Sequence, residues 1–169
     1  MTPMNIQIRK LLPGDAPSYR DIRLEALAKS PEAFGSSFET EVARPVAWFE
    51  DRLASSEVFG AFRDDNLLGV AGIYIQEGPK KAHKATLWGM YVRPQGRNMA
   101  IGRRLAVAVI DAARQHAELI QLCVVSENEA ARKLYSGLGF LEYGLERNAL
   151  KQDGRYYDQV LMALPLIPR

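Results

Sequence analysis

The 169-residue chain has one cysteine, two histidines and no long apolar run, and each shortage excludes a class of protein. Cys123 cannot form an internal disulfide, so a reducing, cytoplasmic location is expected. It lies in the apolar run 119–125, which predicts a buried and unreactive thiol. His83 and His116 are isolated, which argues against a metal site. No stretch resembles an apolar signal region or approaches the ~20 apolar residues of a membrane span.

The charge is also low, at a formal net value of +2. A small net charge gives no broad field for attracting nucleic acid or an anionic membrane. The basic run 80–84 could contact nucleic acid, but it lacks interleaved aromatics and a wider basic face, so a solvated loop is favoured. We therefore expect neither nucleic acid nor a membrane as a partner. The length predicts a single domain over residues 1–169.

Hydrophobic periodicity predicts the element order β-α-α-β-β-β-α-β-α-β-β. This order favours an α/β fold of the mixed α+β kind, with helices on both faces of a mixed sheet. Asp15 is expected to cap the first helix, and Gly89 predicts a bulge in the fourth strand. The run 119–125 is expected to be a central strand covered on both faces. The predicted strands are 6–10, 58–63, 67–76, 84–92, 119–125, 140–150 and 155–164, and the helices are 15–29, 45–55, 98–117 and one from about 126 to 137.

Three arginines gather where the predicted helix 98–117 begins: Arg97, Arg103 and Arg104. Cations are unfavourable at this end, because the helix macrodipole is already positive there. Gly102, a poor helix former, lies between them. An anion between the arginines would resolve the conflict, and the free backbone N–H groups of a helix start complete a phosphate site. Since the chain has neither a Walker A sequence nor a Gly-x-Gly-x-x-Gly fingerprint, nucleotide hydrolases and dinucleotide folds lose support.

A second block, residues 128–140, reads Asn-Glu-Ala-Ala-Arg-Lys-Leu-Tyr-Ser-Gly-Leu-Gly-Phe. It matches the pattern Asn-x-x-Ala-x-x-Leu-Tyr-x-x-x-Gly-Phe, and the arginine block matches Arg/Gln-x-x-Gly-x-Gly/Ala as Arg97-x-x-Ala100-x-Gly102. With these two motifs in this order, the chain resembles the GNAT superfamily of acyl-CoA-dependent N-acetyltransferases. The resemblance implies a three-layer fold whose twisted, mostly antiparallel mixed sheet has splayed fourth and fifth strands.

The resemblance also implies the donor site. The amides of residues 98–103 would hold the CoA pyrophosphate with Arg97 and Arg103 nearby, and the pantetheine would pair with the fourth strand like an extra strand. Tyr135 corresponds to the general acid, since a phenol of pKa ~10 can protonate a departing thiolate; a buried core aromatic is the alternative. Asn128 would contact the pantetheine, or else act as a helix cap in competition with Ser126. The implied cofactor-binding residues are Met90, Tyr91, Val92, Arg97, Asn98, Met99, Ala100, Ile101, Gly102, Arg103, Asn128 and Tyr135.

Ala100 departs from the family pattern, which usually has glycine there. Alanine would be strained if the loop needs a positive φ, whereas it is tolerated in a helical conformation with its methyl group pointing away from the pyrophosphate. We expect the helical conformation.

The acceptor side is less well marked. Many family members have a glutamate on the fourth strand, but residues 85–90 contain no carboxylate. Glu39 is the candidate base, and Glu41 a second substitute, in the segment that walls the acceptor site in the family. For each of them a solvated loop carboxylate is the simpler interpretation, and a water chain would also serve. The acceptor is expected between segment 34–41 and the final hairpin, shaped by Phe34, Glu39, Glu41 and Tyr156, together with Tyr143 and Tyr157.

The resemblance therefore implies direct transfer of an acetyl group from acetyl-CoA, as co-substrate, to a primary amine, with no metal. The acceptor would be a small molecule or a peptide or protein N-terminus, and a homodimer is compatible with these features. The alternative is a catalytically silent acyl-CoA-binding sensor or interaction module. The missing strand carboxylate favours that alternative, and Tyr135 opposes it.

Overall fold

A seven-stranded sheet forms the centre of the computed structural model, which describes residues 5–167. The strands lie side by side in the order β1-β2-β3-β4-β5-β7-β6. Neighbouring strands run antiparallel, except for the parallel pair β4 and β5. The predicted mixed and mostly antiparallel sheet is confirmed. The strands are β1 (Ile6–Lys10), β2 (Glu57–Arg63), β3 (Asn66–Ile75), β4 (Lys84–Val92), β5 (Leu119–Val125), β6 (Leu141–Gln152) and β7 (Arg155–Pro165).

Helices cover both faces of this sheet, as the element order predicts. The helices are α1 (Ala16–Lys29), α2 (Phe38–Val42), α3 (Val46–Ser55), α4 (Ile101–Ala113) and α5 (Glu129–Gly137). One core, on the side of α4 and α5, contains Leu105, Ile120 and Tyr135. The other, beneath α1 and α3, contains Tyr19 and Phe49. None of the helices within residues 5–167 has the length and hydropathy to cross a membrane.

One expectation about the helices is only half right, and one short helix was not predicted. Asp15 stands at the N-cap position of α1, but its carboxylate makes no capping bond and instead accepts from Arg9 at 2.8 and 2.9 Å and from the Leu12 N–H at 2.8 Å. It therefore stabilises the 3-10 turn before α1. The five-residue helix α2 was not predicted, because it is too short for helical periodicity to show. Its start is marked by Ser37, whose Oγ accepts from the N–H of Thr40 at 3.2 Å.

Cys123 is exposed, so its expected burial is wrong. On β5, Ile120, Leu122 and Val124 are buried on the side of α4, whereas Gln121 and Cys123 face the other side, which α1 and α3 do not cover. An apolar sequence could not reveal that the second helical layer stops short of β5. Desolvation of the sulfur and the charge of Glu146 raise the pKa of the Cys123 thiol, so it stays protonated.

The parallel strands β4 and β5 are paired for a short distance only. Their register joins Lys84 to Leu119, Ala85 to Ile120 and Thr86 to Gln121, and no further pairs follow. On its other side, β4 has one extra residue relative to β3, because Val70 faces Tyr91 whereas Gly72 faces Trp88. Gly89, at φ +66°, lies inside this bulge. The predicted bulge and strand separation are thus confirmed, and the β5-facing backbone of β4 lacks a partner strand beyond Thr86.

The ring of Trp88 packs directly over Gly72, which leads to a first prediction. A Cβ at residue 72 would lie 2.6–2.9 Å from three ring atoms of Trp88. We expect Gly72→Ala to lower the free energy of unfolding by about 1–3 kcal/mol, because an indole has little room to move. Gly144→Ala is the matched strand control, since its Cβ would meet the flexible end of Leu161 at 3.2 Å and the rest of that side chain only at an ordinary contact distance of 3.9 Å. Denaturant titration measures both, and equal stability of the two variants would contradict the expected clash.

Candidate active site

The chain between β4 and α4 forms a loop of unpaired backbone donors. It passes through a 3-10 turn at Pro94–Gly96, and Asn98 and Ala100 then take positive φ values of 64° and 57°. The N–H groups of residues 98–103, six in a row, make no hydrogen bond of standard geometry within residues 5–167. The first bonded donor of α4 is Arg104, whose N–H reaches the carbonyl of Ala100 at 3.0 Å. Runs of donors of this kind at helix starts are the arrangement by which proteins bind anions.

Three arginines stand in or next to this stretch of donors along the chain, and the side chains of Arg103 and Arg104 also line a shallow cavity beside Ile8 and Phe59. Arg97, Arg103 and Arg104 are exposed, and none of them forms an ion pair with a carboxylate in the described part of the chain. Their charges therefore add to the positive end of the α4 dipole without compensation. The arrangement suits a polyanionic ligand such as a pyrophosphate.

Ala100 lies in the left-handed region, with φ 57° and ψ 21°, so the expectation of a helical conformation is wrong. The residue precedes the first turn of α4, where the chain must turn sharply from the loop into the helix axis. This explains the family preference for glycine, since an L-residue costs about 1–2 kcal/mol in this conformation. Because residues 98 and 100 are left-handed, α4 also begins three residues later than predicted.

The start of α4 meets the second motif directly. A Cβ at Gly102 would lie 3.5 Å from Leu134 on α5 and 3.9 Å from Val92 on β4. The structure therefore brings together the arginine loop, the end of β4 and the helix that contains Tyr135. Of the residues that the family resemblance assigned to the donor, these three elements contain all but Asn128, which stands just before α5.

Tyr135 is 4% exposed and packs edge-on against Phe140, with ring centroids 5.7 Å apart. Burial raises the pKa of Tyr135, so its hydroxyl stays protonated in ordinary buffers. The hydroxyl makes no hydrogen bond to another residue of the described chain, which leaves its proton available. Asn128, rather than Ser126, is the N-cap of α5, and its Oδ1 accepts from Ala131 N–H at 3.2 Å. A ligand contact by Asn128 would then involve its amide nitrogen.

Glu41 is 1% exposed, so the expectation of a solvated loop carboxylate is wrong for this residue. Its two oxygens accept from Nε and Nη2 of Arg23 at 3.0 Å each, and Arg52 lies 3.5 Å away. Burial alone would raise the pKa of Glu41, but hydrogen bonds from Arg23 and Ser36 and the two guanidinium charges bring it below its ordinary value. A carboxylate in this state is a poor proton acceptor. Glu39, by contrast, is exposed on α2.

Arg23 is a candidate site residue that the sequence analysis did not single out. Its guanidinium lies 5.2 Å from the ring of Phe34 and 5.7 Å from that of Trp88, and Nη1 is 3.6 Å from the place a Cβ would take at Gly89. The sequence signal that could have identified Arg23 is its place beside the apolar positions of the predicted helix 15–29. Tyr156 is 53% exposed, and its ring lies 5.2 Å from the ammonium of Lys151. The 3-10 turn Pro31–Ala33, just before Phe34, contacts β6, so the start of the expected acceptor segment does lie beside the final hairpin.

The sequence model of the Acetyltransferase (GNAT) family matches residues 20–140. The chain belongs to the GNAT acetyltransferase family. It is an acyl-CoA-dependent N-acetyltransferase by this membership. Among curated proteins, N-alpha-acetyltransferase RimI of Mycobacterium tuberculosis is 34% identical to this GNAT chain over 113 residues, covering 65% of this chain and 69% of RimI.

Solved acetyltransferase structures share the fold at low sequence identity. An acetyltransferase of the GNAT family from Streptococcus pneumoniae superposes with a TM-score of 0.84 at 19% identity, over 95% of this chain and 99% of that one. The yncA protein of Salmonella typhimurium, solved with its cofactor acetyl-CoA, has a TM-score of 0.81 at 22% identity, over 98% of this chain and 96% of its own. These likenesses confirm the GNAT-like sheet and helix arrangement.

The left-handed alanine gives a second prediction. Ala100→Gly is expected to raise the free energy of unfolding by up to about 1 kcal/mol, because relief of the strain exceeds the added entropy of the unfolded chain. Ala108→Gly, in the interior of α4, makes the same change in a right-handed position and should lower stability by about 1 kcal/mol. Denaturant midpoints of the two variants provide the comparison. A loss at both positions would show that Ala100 is unstrained.

Proposed function

We propose that this GNAT enzyme places acetyl-CoA in the opening between β4 and β5 and transfers its acetyl group directly to a primary amine. The observation that carries the proposal is the run of free N–H groups at residues 98–103, which begins a few residues after the unpaired end of β4. A cofactor with a pyrophosphate at one end and an amide-containing arm can use both features at once. The presence of acetyl-CoA in the yncA structure supports this assignment of the donor.

The donor contacts follow the chain in order. The N–H groups from Asn98 to Arg103 would bind the pyrophosphate, with Arg97 and Arg103 supplying charge-assisted hydrogen bonds. The pantetheine amides would pair with the free backbone edge of β4 at Met90, Tyr91 and Val92. The amide nitrogen of Asn128 would add one hydrogen bond. This path ends with the thioester beside Gly89, where β4 bulges.

In the reaction we propose, the amine nitrogen attacks the thioester carbonyl, a C–N bond forms, and the C–S bond breaks. The departing thiolate takes the proton of the Tyr135 hydroxyl. The raised pKa of that hydroxyl means that it is protonated at the start of each turnover. Transfer is direct, because the raised pKa of Cys123 keeps the one cysteine of the chain in its weakly nucleophilic thiol form.

The amine must lose a proton before attack. Glu41 is occupied by Arg23 and Arg52, so Glu39 or a chain of waters would take that proton. The name of the RimI relative supports an α-amino group as the acceptor, on a small molecule or at a peptide or protein N-terminus. The single cysteine fits a reducing, cytoplasmic compartment. The absence of a carboxylate on β4 would also fit a silent acyl-CoA sensor, which binds the donor without turnover.

Removal of the Tyr135 hydroxyl tests its role as the acid. Tyr135→Phe should lower kcat by about 10²–10⁴-fold and leave acetyl-CoA affinity nearly unchanged, because the ring and its packing remain. Tyr74→Phe, at an exposed position on β3, is the matched control. Steady-state thiol release and calorimetric titration measure the two quantities. An unchanged kcat would remove Tyr135 from the mechanism.

The loop assignment predicts a loss of binding without unfolding. Arg97→Ala should weaken acetyl-CoA binding by about 10-fold or more, since a charge-assisted hydrogen bond to phosphate contributes about 1.5–3 kcal/mol. Arg147→Ala removes an exposed arginine on β6 and should leave affinity unchanged. Calorimetric titration of each variant with acetyl-CoA, and with desulfo-CoA, which has no acyl group to transfer, gives the two affinities. Equal affinities for the two variants would contradict a pyrophosphate site at this loop.

A further inference from the structure

We infer that Arg23 recognises a carboxylate on the acceptor, so that the preferred amine is an α-amino acid. The inference rests on the proposed function and narrows its acceptor class. It disfavours polyamines, which have no carboxylate, and peptides and amino-acid amides, whose α-carboxyl group is blocked. Three features of the Arg23 guanidinium group support it: its position, its free donor and its charge.

The guanidinium of Arg23 is fixed in place. Its side chain is 6% exposed, and Nε and Nη2 donate to the two oxygens of Glu41 at 3.0 Å each. The rings of Phe34 and Trp88 lie 5.2 and 5.7 Å from its central carbon. A planar group with these contacts has little rotational freedom left, so a ligand that meets it loses little further entropy.

One nitrogen of this group is left for a ligand. Nη1 makes no hydrogen bond with any residue between 5 and 167. In the described part of the chain, the fully buried side-chain nitrogens without a hydrogen-bond partner are Nη1 of Arg52, Nε1 of Trp88 and Nε of Arg93. Arg23 Nη1 is not one of them, so it retains access to solvent. It also lies 3.6 Å from the position of a Cβ at Gly89, beside the proposed thioester. A group bound to Nη1 is therefore a neighbour of the reacting carbon.

The charges around Arg23 leave a positive surplus. Arg23 and Arg52 share the single carboxylate of Glu41, so the trio has a net charge of +1. The guanidinium of Arg52 also lies 4.7 Å from the ring of Trp88. No residue of β4 supplies a compensating carboxylate. An incoming carboxylate would neutralise this surplus in a partly desolvated place, whereas each further ammonium of a polyamine would meet a like charge.

Position also distinguishes the acceptor from the donor. Arg23 belongs to α1 and approaches Gly89 from the face that α1 and α3 cover, whereas the β4–β5 opening lies in the plane of the sheet. A carboxylate on Nη1 would thus stand above the thioester, and only one carbon separates it from the α-amino nitrogen. That spacing places the nucleophile close to the carbonyl in a binding mode fixed by one charge-assisted hydrogen bond.

The first experiment uses the unaltered protein. It compares kcat/KM for several α-amino acids, their carboxamides, the matching amines without the carboxyl group, and spermidine, each corrected for its fraction of free amine. We expect each reactive acid to exceed its carboxamide by about 10–100-fold, mainly through KM, since hydrogen bonds to charged groups are worth such factors. Equal or faster turnover of carboxamides, peptides or spermidine would overturn the inference and leave the proposed function standing. Absence of turnover with every amine would contradict the proposed function and the inference together.

A second experiment assigns the preference to Arg23. Arg23→Gln should reduce the ratio of acid to carboxamide turnover towards one, with acetyl-CoA affinity unchanged. The matched control is Arg20→Gln on the same helix, because Arg20 donates to the carbonyl of Val42 and lies over Phe49. Equal losses for acid and carboxamide would mean that Arg23 acts on the thioester oxygen or on the fold, which contradicts acceptor recognition. If Arg23→Gln does not fold, the acceptor panel on the unaltered protein still decides the question.

Discussion

β4 and β5 are parallel neighbours for three residue pairs, and the rest of the proposed site depends on their separation after Thr86. The bulge at Gly89 adds a residue to β4 relative to β3, which turns the second half of the strand away from β5. A strand edge without a partner inside a sheet offers hydrogen-bonding groups to a ligand. The same stretch ends at the loop whose backbone donors are free, so the arm and the phosphates of one cofactor could follow a continuous path.

The opposite edge of β4 pairs with β3, and α1 also holds the strand from one face of the sheet, while the β5-facing edge remains open. The Tyr91 hydroxyl donates to Glu25 at 2.8 Å, and Arg93 lies 3.3 Å from the same carboxylate. Arg93 also donates to the carbonyl of Leu67 at 2.9 Å. Burial and the bond to Glu25 raise the pKa of Tyr91 to about 12, so this hydroxyl remains a donor. Helix α1 therefore supports β4 through Glu25 and presents Arg23 beside Gly89.

The strands, most of the helices and the bulge could be predicted from the sequence, because each follows from hydrophobic periodicity or from residue types close together in the chain. The two motifs could be read from it directly. Local sequence patterns did not reveal the features that depend on contacts between segments far apart in the chain. The conformation of Ala100 depends on how the loop joins α4, and the exposure of Cys123 depends on where the second helical layer ends. Glu41 is buried because Arg23, 18 positions earlier, reaches it in the folded chain. The acceptor side of the site is built from such pairs, and it was predicted least well.

Amide hydrogen exchange, followed residue by residue by NMR with and without acetyl-CoA, tests the central claim most directly. If the donor lies along β4 and ends at the α4 loop, binding should slow exchange at residues 98–103 and along the free edge of β4 between Gly89 and Val92. The amides of β1 and β2 should change little, because these paired strands lie on the far side of β3 from the proposed donor path. Protection confined to other segments, with unchanged exchange at residues 98–103, would contradict the account.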